Sequence, residues 1–217
     1  MMSDDDWENP FSVTEVPLLI EPKPPEQAPK PALVVLGRFQ PFHRGHVALI
    51  EAALDYANEN DLPSRIVIGS ANQLESLENP WTWQERKQMI CCWLATNHPN
   101  LEVDVVAVPD INDPPNWVEH AEQYHGEAGV LFTSDGPTTD LYRQAGWQVI
   151  ESPLQDRESW EGWRIRSTLK MLSTVSEKEA SISVMIETIP EEVAELLWDE
   201  VWLKRLAFLG RPFEAVG

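Results

Sequence analysis

The sequence predicts an α/β protein, a doubly wound parallel sheet with a C-terminal helical extension, and three observations predict it. Short β-branched runs alternate with stretches whose apolar residues recur at helical spacing, which is the signature of repeated βαβ units. One of those helical stretches carries a complete start signal. The last stretch is amphipathic and helical, with no strand after it.

The first strand is expected in "ALVVLG" from Ala32, followed by a helix in "HVALIEAALDYANEN" that begins near His46. "SRIVIGS" is the second strand. The next helix is best marked: Thr82 precedes Glu85 by three residues, so hydroxyl and carboxylate can cap each other's backbone donors and the helix begins at Trp83. "LEVDVVAVPD" supplies the third strand, a helix is expected around Trp117 to Tyr124, and "GVLFTS" is the fourth strand. The helix "TTDLYRQAG" ends at Gly146, and "WQVIESP" is the fifth strand. A short helix, "IRSTLKML", follows Gly162. Finally, "PEEVAELLWDEVWLKRLAFLG" sets Val193, Leu196, Leu197 and Val201 on one face and closes at Gly210, a packing or oligomer-forming helix.

A chain of 217 residues that is 42% hydrophobic can build one sizeable core, and a single domain is expected over residues 32–217. Residues 1–31 mix acids with prolines ("IEPKPPEQAPKP") and read as a flexible tail. Against 36 acidic residues stand 16 basic ones, a formal charge of −20 that repels nucleic acid and anionic membranes. No nucleic-acid or membrane partner is therefore expected. No stretch reaches the length of a membrane span, and the acidic start lacks the charge of a secretory signal, so a cytoplasmic protein is expected. The two cysteines, Cys91 and Cys92, are adjacent and too few for a disulfide framework or a structural zinc site; they read as buried small apolar residues. No metal ligands are assigned.

The chemistry concentrates in "GRFQPFHRGH", which leaves the first strand at its carboxyl end, where open α/β sheets gather ligands. Gly37 permits close backbone approach, Pro41 stiffens the turn and Gly45 removes a Cβ ahead of the helix. Arg38 offers a planar fork suited to phosphate oxygens. His43 and His46, three apart, lie on one side of a first helical turn and can face one anion at the helix start. The stretch therefore reads as a phosphate cradle, although it is neither a P-loop nor a G-x-G-x-x-G fingerprint. Gly69 and Ser70 end the second strand where a nucleotide can approach the backbone. Ser134 and Asp135 end the fourth, where they can help to hold a nucleoside.

"GRFQPFHRGH" resembles the H-x-G-H type signature of the nucleotidyltransferase superfamily in its H-x-x-H form, and is similar to the version in archaeal-type nicotinamide-nucleotide adenylyltransferases. "SANQLESLENPWTWQERKQMI" resembles that family's second-strand exit and its N-P-[FW]-T-x-x-E-R segment, here Asn79, Pro80, Trp81, Thr82, Glu85 and Arg86. "VPDINDPPNWVEH" is similar to its third-strand exit, and "EGWRIRSTLKML" to its late arginine motif; the pieces stand in family order across residues 32–209.

The resemblance implies a Rossmann-like nucleotidyltransferase fold, and attack of the 5′-phosphate of nicotinamide mononucleotide on the α-phosphorus of ATP, giving NAD and pyrophosphate. It implies Mg²⁺ carried with the ATP phosphates, and a homo-oligomer. By carry-over, His43 and His46 contact ATP phosphates, with His46 nearest the α-phosphate, while Arg38 and Arg166 hold phosphates from two sides. Ile111 and Trp117 match positions around the nicotinamide ring. Gly37, Phe39, Gln40, Gly69, Ser70, Asn79, Ser134 and Ile165 complete the expected nucleotide-binding set. Two positions depart from the pattern: Trp163 stands where a phosphate-binding hydroxyl is usual, and Pro114 where an amide is expected, with Asn112 and Asn116 nearby. Competing expectations are another phosphorylated acceptor, such as FMN or phosphopantetheine, or a nucleotide-binding regulator without turnover.

Overall fold

The computed structural model describes residues 20–152 and 160–209. The chain runs β1 (Leu33–Gly37), α1 (Arg44–Glu59), β2 (Ser64–Ile68), α2 (Trp83–Asn97) and β3 (Val103–Ala107). A 3₁₀ turn (Pro114–Asn116) leads into α3 (Trp117–His125), followed by β4 (Val130–Thr133), α4 (Gly136–Gln144) and β5 (Gln148–Glu151). Four helices close the chain: α5 (Gly162–Leu172), α6 (Lys178–Met185), α7 (Glu191–Asp199) and α8 (Trp202–Arg205).

All five strands are parallel, in the order β3-β2-β1-β4-β5. The chain builds outward from β1 to β3, then returns to the other side of β1 with β4. The order reverses between β1 and β4, and loops leaving those two strands splay apart to open a crevice. Successive strand residues point to opposite faces, so each strand serves two cores. Leu33, Val35, Ile66, Ile68 and Phe132 face one of them, which takes in α1, α2 and the C-terminal helices. Val34, Val67 and Leu131 face the other, filled by Val118, Tyr124, Tyr142 and Trp147 from α3, α4 and the turn before β5.

The C-terminal stretch differs from the single helix expected. Val201 adopts φ 62°, a left-handed conformation costly for a β-branched residue, and the chain breaks there into α7 and α8. The break turns Leu203 and Leu206 back into the core already entered by Val193 and Leu197, which a straight helix would not do. The apolar face of α7 is thus used inside the chain, against α2 and α6. The expected stop at Gly210 lies outside the described residues. A further helix, α6, was not anticipated at all; its serines mask a short amphipathic turn that buries Ser181 and Met185.

Of the expected flexible tail, residues 20–31 lie along the back of the domain. The Tyr124 hydroxyl donates to the Pro22 carbonyl at 3.0 Å, and Arg65 donates to the Lys30 carbonyl at 3.0 Å. Gly126 makes room for them: at φ 87°, a Cβ there would lie 2.6 Å from the Pro29 carbonyl oxygen. Residues 1–19 are outside the described residues. Cys91 is exposed and Cys92 half-buried, contrary to the burial expected, because α2 turns Arg86, Met89, Ile90 and Trp93 inward instead.

Candidate active site

The crevice at the carboxyl ends of the strands is a cleft of about 560 Å³. Its floor is the start of α1, and the sequence determines how that start is built. His43 is the N-cap residue, so the helix begins at Arg44, two residues earlier than expected. The Gly45 amide donates to His43 Nδ1 at 3.1 Å, and the His43 amide donates to His46 Nδ1 at 3.3 Å. The two imidazoles cap the helix reciprocally, as a hydroxyl and a carboxylate do in a capping box. Their ring centroids are 3.7 Å apart. Gly45 is required beneath them, since a Cβ there would press on the His43 ring at 3.0 Å.

These contacts assign the protons. A ring nitrogen that accepts a backbone N–H carries no hydrogen of its own, so each neutral ring bears its proton on Nε2. Burial, and then the charge of Arg166, lowers the His43 pKa to about 4. Burial and His43 hold His46 well below the usual imidazole range. Both rings line the cleft as neutral single donors, at the positive end of the α1 dipole, whose first amides are already held by His43 and Thr188.

Arg38, Gly37, Gly69, Ser70, Trp117 and Ser134 are brought together with the histidines around this cleft. Arg38 is exposed, and its guanidinium is steadied by the Asn79 side-chain oxygen. Asp135 also lines the cleft, while its carboxylate caps α4 through the Thr138 amide at 3.0 Å and hydroxyl at 2.7 Å. Trp117 also borders an adjoining apolar pocket of about 290 Å³, shared with Leu36, Asn112, Pro114 and Leu141. Arg166 stands in a neighbouring groove that shares Arg38 with the cleft, and donates to the Gln40 carbonyl at 2.7 Å.

Four expected ligand contacts have side chains placed elsewhere. Phe39 is 1% exposed and fills the space beneath Gly37, where a Cβ would meet its ring at 2.9 Å. The tight turn therefore needs Gly37 for Phe39 as much as for a ligand. Gln40 is buried with its amide clamped on Trp81, donating to the carbonyl at 2.8 Å and accepting from the amide at 3.2 Å. Ile165 packs in the core, and Ile111 lines neither the cleft nor its apolar annex. Strand-end position alone does not tell which side of a loop faces inward.

Sequence reasoning gave no role to the residue that holds the floor together. Arg86, 1% exposed, sends its guanidinium from α2 under both loops. It donates to the carbonyls of Arg38 (2.8 Å), Gly69 (2.9 Å) and Ser70 (3.1 Å). Burial and the nearby Arg38 lower its pKa to about 10, so it stays charged at neutral pH and adds a fixed cation beneath the cleft. Its signal was the helix start at Thr82, which aims the first turn of α2 at the strand ends. A second clamp joins the β2 and β3 exits: Asn72 and Asp110 exchange side-chain and backbone bonds at 2.8 and 2.9 Å. Arg205 of α8 then fixes the start of α2 through a two-pronged pair with Glu85 at 2.6 and 2.7 Å.

The chemistry this arrangement supports is the binding of a polyphosphate by neutral imidazole donors and arginines, beside an apolar pocket. Residues 34–105 match the cytidylyltransferase-like family model. The nicotinamide-nucleotide adenylyltransferase of Ignicoccus hospitalis is 31% identical over 176 residues, spanning 81% of this chain and 95% of that protein. That of Haloarcula marismortui is 32% identical, spanning 72% of this chain and 79% of its own. Among solved structures, a bifunctional NMN adenylyltransferase/ADP ribose pyrophosphatase from Francisella tularensis superposes with a TM-score of 0.58 at 18% identity. The alignment covers 81% of this chain but only 53% of that one, so this chain spans about half its length. Fold, cleft and matches together define a nucleotidyltransferase of the α/β class. Within that class, the chain belongs to the nicotinamide-nucleotide adenylyltransferase family.

Proposed function

We propose that this enzyme joins nicotinamide mononucleotide and ATP to give NAD and pyrophosphate, by direct in-line attack on the α-phosphate. The observation that carries the reading is the pair of reciprocally capping, neutral imidazoles at the start of α1, in a cleft that Arg38 also lines. A phosphate oxygen of the mononucleotide forms the new P–O bond as the bond to the bridging oxygen of pyrophosphate breaks. The nucleophile is already an anion, so no side chain needs to remove a proton. The protein's task is alignment and stabilisation of the spreading negative charge.

His46 and His43 suit that task because they stay neutral and each offers Nε2–H as a hydrogen-bond donor. The α1 dipole and Arg38 add to the field, with Arg166 in the adjoining groove. The pocket bordered by Trp117, Pro114 and Leu141 offers the nicotinamide ring a flat apolar wall. Mg²⁺ would arrive on the triphosphate and neutralise part of its charge; Asp110, Asp135 and Glu161 are the carboxylates that line the cleft and would face its water shell. A cytoplasmic place of action and a homo-oligomeric assembly belong to the same proposal. Among the described residues, no helix is long and apolar enough to cross a membrane.

Isotope tracing tests the reaction. With ATP labelled at the α-phosphorus, label should pass into NAD, while γ-label should pass into pyrophosphate. Label appearing in AMP alone, or only with FMN or phosphopantetheine as acceptor, would overturn the assignment.

A further inference from the structure

The apolar pocket beside the cleft lies between two helices, and the contact that spaces those helices lies behind it. Trp117, the first residue of α3, lines the pocket on one side, and Thr138 and Leu141 of α4 line it on the other. The next residue of α4, Tyr142, is 0% exposed and packs into the core at the back. Its ring meets the Trp117 indole edge to face, with centroids 6.2 Å apart. Its hydroxyl lies 2.7 Å from Nε2 of His125, the last residue of α3. Eight residues separate Trp117 from His125, about 12 Å along the helix axis, so one buried side chain touches α3 at both ends.

The tie has a fixed polarity. His125 Nδ1 lies 2.8 Å from the Gly126 carbonyl, which can only accept, so Nδ1 carries the proton and Nε2 accepts from the Tyr142 hydroxyl. This is the opposite tautomer to that of His43 and His46. Burial lowers the His125 pKa to about 4 and raises that of Tyr142, so acceptor and donor both persist at neutral pH. The His125 end is itself anchored, because Arg65 of β2 donates to its carbonyl and, at 3.0 Å, to that of Lys30. On the far side, the Trp147 ring stands against Tyr142 with centroids 5.1 Å apart, and its indole donates to Glu122 of α3 at 2.7 Å. Tyr142 is thus held from three directions, and the Trp117 wall rests on it.

We propose that Tyr142 is a positioning residue for the mononucleotide: its hydroxyl bond to His125 sets the gap between Trp117 and Leu141 that receives the nicotinamide ring. The inference rests on the NAD-forming reading and deepens it. Tyr142 lines neither the cleft nor the pocket and acts only through those two walls. Without the hydroxyl, a buried Nε2 lacks its partner and α4 settles at another distance from α3, which loosens the fit of the ring. The histidine cradle, built on α1 against the opposite core, keeps its geometry.

The test uses the full chain, with steady-state kinetics and calorimetric titration by nicotinamide mononucleotide. Tyr142→Phe keeps the ring and removes only the hydroxyl. It should raise both Kd and KM for the mononucleotide about fivefold, while kcat and KM for ATP stay within twofold. His125→Phe should give the same split. His125→Gln, whose amide oxygen can accept the same hydrogen bond, should restore the wild-type KM. Leu54→Ala, in the opposite core, lowers stability by a cavity and should leave both KM values within twofold. Unchanged mononucleotide binding in Tyr142→Phe, an equal rise in KM for ATP, or the same split in Leu54→Ala would overturn the proposal. A wild type whose mononucleotide binding depends on Tyr142 in this way, but which forms no NAD, would sink the functional reading and not the positioning role. A wild type that does not bind the mononucleotide overturns both.

Discussion

The guanidinium of Arg86 donates to the carbonyl of Arg38 at 2.8 Å, so the loop that carries the phosphate-binding residues is fixed by a cation from a helix 48 positions further along the chain. The same nitrogen holds the carbonyl of Gly69 at 2.9 Å, and its neighbour that of Ser70 at 3.1 Å. Two strand exits are thereby set at one spacing by a single buried side chain.

Replacing Arg86 should therefore damage stability and activity together. Arg86→Met leaves several buried carbonyls without donors, and is expected to cost about 3 kcal/mol, lowering Tm by about 6–12 °C. Differential scanning calorimetry measures this. Arg86→Lys retains the charge but cannot span three carbonyls, and kcat/KM for ATP should still fall more than tenfold.

Trp117 borders both the cleft and the apolar annex. Trp117→Ala should raise KM for nicotinamide mononucleotide about tenfold, in keeping with loss of an aromatic wall, and leave KM for ATP within twofold. Equal losses for both substrates would mean that the ring holds the fold rather than the ligand.

Acid should destabilise the enzyme through its buried rings. His125 is 0% exposed, with Nε2 2.7 Å from the Tyr142 hydroxyl and Nδ1 2.8 Å from the Gly126 carbonyl. Burial lowers its pKa to about 4, as it does for His43. An unfolded chain takes up these protons near pH 6.5 and the folded one only near pH 4, so the stabilisation is complete above 6.5 and lost as pH falls through that window. Each ring contributes on the order of 3 kcal/mol at neutral pH. Denaturant midpoints should drop steadily from pH 7 to pH 4.5, and His125→Phe should flatten part of that slope. By NMR, the rings of His43, His46 and His125 should show no titration between pH 8 and 5.5.

The sheet and the cradle were legible because both are local. Each strand is a short apolar run ending in small or polar residues, and Thr82 with Glu85 announces its helix within four positions. The cradle was legible because His43, Gly45 and His46 are one helical turn. What stayed hidden was set by distant partners. Phe39 and Gln40 are polar-loop neighbours in sequence, yet one is buried by Gly37 and His46 and the other by Trp81. The helix break at Val201 is decided by where Leu203 and Leu206 find the core, and Arg86 by carbonyls in two other loops. That the Trp163 indole lines both the cleft and the neighbouring groove is likewise visible only in the fold.

The central claim is that two neutral imidazoles at the start of α1 stabilise charge on a triphosphate during NAD formation. It is tested most directly by comparing wild type with His46→Ala in ATP, Mg²⁺ and nicotinamide mononucleotide, following NAD and pyrophosphate together. The account predicts equal amounts of both products from the wild type, and a kcat lowered about 10²–10³-fold in the variant, the usual loss for one preorganised donor. Near-normal turnover by His46→Ala, or no NAD from the wild type, would contradict it.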